Sequence, residues 1–277
     1  MEEPITHTLV LEAGKIEKQY FRDVVRYREL FFFLAWRDIL VRYKQTVMGI
    51  GWALVRPFLT MVVFSFIFGR LAHLPSNGLP YPLLVFTAML PWQLFASSLS
   101  ESSNSLIGNA NMISKVYFPR LIIPASTVVV SLVDFFISFS LLVGLMAWYH
   151  HAPSWRILAL PLFVLIACAA ALGAGLWLAA LNVKYRDVKY VVPFLVQFGL
   201  YVSPVGFLSS VIPEKWRLLY SLNPMVGVID GFRWALLGSH GSIHLTGFIL
   251  SLAVVVVMFA SGIWYFRKTE ALFADMI

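Results

Sequence analysis

Long apolar runs separated by short charged links dominate the pattern of this chain. Runs of roughly 18 to 25 residues, the length a helix needs to cross a bilayer, fall near 52–71, 82–101, 121–149, 157–181, 190–211 and 245–266. The pattern predicts an all-α integral membrane protein with six transmembrane helices. The third run is long enough to tilt, and Pro193 and Pro204 interrupt the fifth.

Two further segments are apolar without being spans. Residues 212–244, between the fifth and sixth runs, are punctuated by Pro213, Asn223, Pro224, Gly227, Gly231 and Gly238. They leave two short stretches, Trp216 to Leu222 and Met225 to Leu237, each below spanning length. The expectation is a pair of re-entrant helices. Non-helical backbone at membrane depth needs protein or a water-filled cavity to partner it, so a cavity is expected at the outer end. Ahead of the first run, residues 17–44 place Phe21, Val24, Val25, Phe31, Phe32, Trp36, Ile39 and Tyr43 broadly on one side of a helix, with Arg22, Arg26, Glu29 and Arg37 on the other. An amphipathic helix along the inner membrane surface fits this pattern. A helix packed on a soluble partner is the alternative. The chain thus divides into a tail with its interfacial helix, 1–50, and a six-helix transmembrane region, 51–277.

Composition narrows the class. Of 277 residues, 60% are hydrophobic and 13% charged, against roughly a quarter charged in a soluble domain. Mean hydropathy is +0.80. A soluble enzyme with this surplus would expose much of its apolar surface to water. The net charge of +7 does not point to nucleic acid, because the cations cluster in the tail and in alternate links. Fifteen Lys and Arg fall on one side of the predicted spans and five on the other, with Arg56 just inside the first span. The positive-inside bias predicts both termini cytoplasmic. The charged start shows no cleavable signal sequence. A lone cysteine, Cys168, excludes a disulfide framework and fits small-residue packing.

The residues offer little catalytic chemistry. No phosphate-binding loop, zinc-protease motif or nucleophile elbow is present, and no metal site is expected. Adjacent His150 and His151 fit interfacial solvation better than a metal. Uphill transport would therefore need energy from another polypeptide. Asp134 is the clear acid within an apolar run, read either as functional or as paired inside the bundle, for instance with Arg56. Ala171, Gly175 and Ala179 form a small-residue stripe for close helix approach. Aromatic residues make up 16% of the chain. Trp92, Phe95, Phe198, Tyr201, Phe207, Trp216, Tyr220, Phe232 and Trp234 gather toward the outer half. They read as an interfacial belt or as a channel lining on which sugar rings stack.

Five sequence features together resemble a known family. They are Trp36-Arg37-Asp38 with Arg42-Tyr43-Lys44-Gln45-Thr46, Gly49 to Trp52 and Pro57; the link Asn111 to Arg120; the run Asn182 to Val188; Ser203-Pro204-Val205 with Asn223-Pro224-Met225; and the tail from Phe266 to Glu270 with Phe273-Ala274-Asp275. In order and spacing the chain resembles the membrane subunits of ABC polysaccharide exporters. The resemblance implies a homodimer in the bacterial inner membrane with two copies of an ABC ATPase, which would carry the ATP and Mg. This chain would bind no cofactor itself.

Asn109, Met112, Lys115, Val116, Phe118 and Arg120 are then the expected ATPase-coupling contacts. The implied cargo is a polysaccharide joined through pyrophosphate to a polyprenyl lipid. A basic collar of Arg37, Arg42, Lys44 and Arg56 would hold the pyrophosphate, or serve only to set topology. The pattern is more similar to O-antigen export than to capsule or teichoic-acid export. An exporter of small drugs or lipids, and a membrane-embedded transferase, remain as other classes.

Overall fold

The computed structural model describes residues 20–44, 50–185, 187–238 and 244–273. Gln45, Thr46, Gly49, Arg186, His240, Ala274 and Asp275 lie outside the described residues, as does the tail before Tyr20. Every regular element among the described residues is helical. The tail contributes α1 (Tyr20–Arg26) and α2 (Arg28–Lys44). Then α3 (Ile50–Phe64) runs into a π-helical turn, Ser65–Leu71. There follow α4 (Tyr81–Gly108), the single turn α5 (Ala110–Ile113), α6 (Ile122–Trp148) and α7 (Leu160–Lys184). The chain closes with α8 (Val188–Val202), α9 (Glu214–Tyr220), α10 (Pro224–Leu237) and α11 (Leu245–Glu270).

Five helical stretches are long and apolar enough to cross a membrane: Gly51–Leu71, Tyr81–Gly108, Ile122–Trp148, Trp155–Lys184 and Leu245–Leu272. They coincide with five of the six apolar runs. The run at 190–211 differs. Its helix, α8, has 15 residues, about 22 Å at 1.5 Å per residue, short of the roughly 30 Å hydrocarbon layer. The helix stops because Ser203 precedes Pro204, whose ring disfavours helical backbone at the residue before it; Ser203 is accordingly extended, with ψ 153°.

Beyond α8 the backbone is irregular, and side chains from distant elements satisfy it. Tyr81 donates to Gly206 O at 2.6 Å, and Tyr220 to Val202 O at 2.8 Å. Arg233, 2% exposed, donates to Phe207 O at 2.9 Å and Val205 O at 3.2 Å. The two proline motifs seen in the sequence meet here. Asn223 caps α10 by accepting from Met225 N at 3.0 Å, and its Nδ2 donates to Ser203 Oγ at 2.9 Å. Pro224 occupies the first turn of α10, where its missing N–H costs nothing. Helices α9 and α10 correspond to the two short stretches expected between the fifth and sixth runs.

Helix α4 is the axis of the bundle, packed against α3, α6, α7, α8 and α10. Three of its serines, Ser97, Ser103 and Ser105, return their hydroxyls to carbonyls of the preceding turn, which lowers their cost inside the bundle. Helix α7 uses two small-residue faces. A Cβ at Gly175 would stand 2.6 Å from Ser102 Oγ on α4. On the other face, a Cβ at Gly262 of α11 would meet Gly173 O at 2.3 Å. The small-residue stripe predicted on this helix is thus buried, with Ala171 and Ala179 at 0% exposure. The glycine seated against α11, however, is Gly173, outside that stripe.

A second apolar cluster closes one end, here termed the tail end, joining Tyr20, Leu34, Ile113, Phe118, Val183, Phe266 and Phe273. Helix α2 carries apolar residues beyond the face expected to be apolar. Its apolar residues do not share one face: Leu34 and Ala35 are buried, while Phe32, Phe33, Trp36 and Val41 are exposed. The helix packs along α6, which takes one strip and leaves a second apolar strip uncovered.

Candidate functional site

Midway along the bundle α2, α3, α4, α6 and α8 line a cavity of about 500 Å³. Arg42, Tyr43, Trp52 and Arg56 line one side, and Gln93, Ser97, Ser100, Ser131 and Asp134 the other. Helical spacing puts Gln93, Ser97 and Ser100 on one face of α4, and Ser131, Asp134 and Ser138 on one face of α6. Arg42 Nη2 lies 2.9 Å from Asp134 Oδ2, and its Nη1 3.4 Å from Glu101 Oε1. Tyr43 donates its hydroxyl to Asp134 Oδ1. Burial, then that bond and the Asp134 charge, hold the Tyr43 phenol above its ordinary value. The partner of Asp134 is therefore Arg42, not Arg56. Arg56 instead stands 5.8 Å from the centre of the Trp52 ring, and among the described residues it forms no ion pair.

Of the four predicted collar residues, the cavity gathers Arg42 and Arg56. Arg37 points elsewhere, pairing with Asp38 at 2.7 Å and donating to Asn109 Oδ1 at 2.9 Å. Lys44 is exposed at the end of α2.

The link between α4 and α6 splits into an inward and an outward set. Asn109 bridges Arg37 and Ser105 O. Phe118 is 2% exposed and belongs to the tail-end cluster. Arg120 donates from its backbone to Glu270 Oε1 at 2.8 Å and from its guanidinium to Glu270 O. Lys115 is exposed and Val116 is 59% exposed, with Tyr117 exposed beside them and Met112 half-buried. Phe118 and Arg120 thus hold the link to the bundle, and Lys115 and Val116 face away from it.

The nine aromatics also divide. Trp92 and Phe95, 5.5 Å apart, are buried on α4. Trp92 seats Gly199 of α8, where a Cβ would come within 2.6 Å of the ring. Phe232 is fully buried between Phe135 and Phe163, with ring centres 6.1 and 6.4 Å away. Trp234 is half-buried beneath Arg156 at 5.1 Å. Phe207 and Tyr220 are half-buried, and Phe198, Tyr201 and Trp216 are exposed.

The sequence profile of the ABC-2 type transporter family matches residues 29–237. The chain belongs to the ABC-2 type transporter family. It is 30% identical over 260 residues to O-antigen export system permease protein RfbA of Myxococcus xanthus, covering 92% of this chain and 98% of that protein. RfbA of Klebsiella pneumoniae is 29% identical over 250 residues, 87% and 92% of the two chains. Polysialic acid transport protein KpsM of Escherichia coli is 22% identical over 245 residues, 85% and 92% of the two. These relatives are named as transport proteins, in keeping with a multi-pass membrane chain that carries no recognisable catalytic motif.

Several residues that shape this ABC-2 transporter chain were not singled out from the sequence. Glu270 stood only within the tail motif, yet it receives Tyr20 and Arg120. In the sequence Arg233 counts only toward the charge balance and no motif marks Asp230, which accepts from Ser209 Oγ at 2.6 Å. The available signal was two opposite charges three residues apart within an apolar segment, a spacing that puts them on one helix face. On α8, Tyr190 and Phe194 extend the exposed Phe198 and Tyr201 into one strip, with Phe194 and Phe198 stacked 6.0 Å apart.

Proposed function

We propose that this chain is the pore-forming subunit of an ATP-driven exporter of lipid-linked O-antigen polysaccharide in the bacterial inner membrane. It works as a homodimer with two copies of a separate ABC ATPase, which supplies ATP and Mg chemistry this chain lacks. In this reading α8 and the irregular segment after it form the fifth of six spans, α9 and α10 are re-entrant, and both termini are cytoplasmic. Residues 1–50 then form the tail and interfacial helix, and 51–277 the permease body.

The observation that carries the reading is the mid-bundle cavity. Arg42 and Arg56 face it together with Trp52, opposite a wall of serines and Gln93. Because Arg42 already meets Asp134, Arg56 is the cation left for a pyrophosphate, whose oxygens it grips through paired N–H donors. Serine and glutamine side chains suit the first sugars, and Trp52 offers a stacking face. Lys115 and Val116 face the ATPase. The exposed aromatic strip of α8 lines the path of the polymer. The similarity to the polysialic acid transport protein supports capsule polysaccharide as the second reading.

The test is ATP-dependent transfer of lipid-linked polysaccharide across vesicles holding this chain and its ATPase. Transfer that stops when the ATPase is inactivated, and falls at least tenfold in Arg56→Ala, is expected. A complex that hydrolyses ATP but moves only small lipids or drugs would overturn the reading.

A further inference from the structure

A second cavity, of about 220 Å³, lies at the far end of the molecule from the tail cluster. The 3₁₀ turn Ser209–Val211, α9, α10 and the start of α11 enclose it. Its chemistry differs from that of the mid-bundle cavity. Asp230 lines it and accepts one hydrogen bond, from Ser209 Oγ to Oδ1. Among the described residues Oδ2 accepts none. His244 accepts from Gly247 N at 3.1 Å through Nδ1, which places the neutral imidazole proton on Nε2 and makes that atom a donor. Arg217 is anchored by Nε to Ile212 O at 3.1 Å. Tyr220 is fixed through its hydroxyl to Val202 O, so its ring is held on the wall. Ser210 adds a hydroxyl from the turn.

The mixture of signs selects the ligand. A metal cation would meet Arg217 and the nearby buried Arg233; an inorganic anion would meet the Asp230 carboxylate. A neutral polyol satisfies both, because each hydroxyl donates to a carboxylate and accepts from an N–H. The volume lies just below the 300 to 1,000 Å³ typical of pockets for drug-sized ligands, and so suits one ring rather than a chain. The Tyr220 ring supplies an aromatic face for the C–H side of a pyranose. We propose that this far-end cavity binds a single sugar ring. As a rest point for an emerging polymer it depends on the polysaccharide reading above; as a binding site it stands on its own geometry.

The test uses the full chain in lipid nanodiscs, with free mannose, galactose and N-acetylglucosamine as probes. Protection of His244 from acylation by diethylpyrocarbonate is read by mass spectrometry. At least one sugar is expected to protect His244 saturably. Asp230→Asn should weaken that protection at least roughly tenfold, as loss of a charged acceptor does. Ser210→Leu, which fills the cavity from an exposed turn and leaves Asp230 in place, should abolish it. No protection by any of the three sugars, or equal protection in Ser210→Leu, overturns the site. Polymer transfer without protection would sink the site alone, and protection without transfer of any polymer would sink the export reading alone.

Discussion

Tyr20 and Glu270 meet across 250 residues of sequence, the Tyr20 hydroxyl donating to Glu270 Oε1 at 3.0 Å. The same oxygen accepts from Arg120 N at 2.8 Å, and the Arg267 guanidinium stands 4.5 Å over the Tyr20 ring. One carboxylate thereby ties the first tail helix, the link after α5 and the end of α11 together. Glu270→Ala strips two donors of their acceptor and should cost about 2 to 3 kcal/mol, whereas Glu270→Gln keeps an acceptor oxygen and most of the stability. Thermal unfolding of the purified protein in detergent compares the two, and an unchanged midpoint in Glu270→Ala would refute the clamp.

The same contact predicts a pH response. Burial, then the Glu270 charge, raises the Tyr20 phenol above its ordinary value near 10. The folded state therefore holds the proton more tightly than the unfolded one. This contribution is fully present below pH 10 and is lost as pH climbs above it. Stability of the wild type should fall more steeply above pH 10 than that of Tyr20→Phe, which has no phenol to ionise; parallel alkaline melting curves would count against it.

Arg42 and Asp134 join α2 to α6. Arg42 is 36% exposed and Asp134 17%, so solvent screening limits their coupling to about 1 kcal/mol. A double-mutant cycle with Arg42→Ala and Asp134→Ala should return roughly that value. Pairing Asp134→Ala with Arg56→Ala should return close to zero, and equal couplings would contradict the observed partner.

The crossing of α7 and α11 depends on Gly262, whose Cβ position lies 2.3 Å from Gly173 O. Backbone cannot yield there as a flexible side chain would. Gly262→Ala should destabilise by about 1 to 3 kcal/mol, read as a lower melting temperature and poorer recovery from membranes. Gly144, with open space around its Cβ position, provides the control: Gly144→Ala should melt no lower than the wild type, since alanine favours the helix.

Val116 tests the outward face of the link. It is exposed, so Val116→Asp should leave stability within about 0.5 kcal/mol. Co-purification of the ATPase with this chain should nevertheless drop about tenfold, because a charge replaces an apolar anchor at a docking surface. Phe118→Asp should instead unfold the tail-end cluster. Undiminished ATPase recovery with Val116→Asp would place the coupling surface elsewhere.

The sequence by itself determined five of the six apolar spans, their order and the break in the fifth run. A run of about twenty apolar residues has little choice but to be a helix in lipid, since every backbone group must be satisfied internally. Pro204 and the Asn223-Pro224 pair ended and began helices for equally local reasons, through ring sterics and capping. Which residues of the link after α4 face outward was not legible: Lys115 and Val116 are exposed, whereas Phe118 and Arg120 turn into the bundle. Only the tertiary structure decided that Asp134 takes Arg42 rather than Arg56, that Gly173 rather than Gly175 meets α11, and that Phe232 lies in the core. It also decided that Arg233 serves the irregular backbone after α8 and that Glu270 joins the two ends of the chain. Helical periodicity tells which residues share a face, but which neighbour that face meets depends on helices brought together from distant parts of the chain.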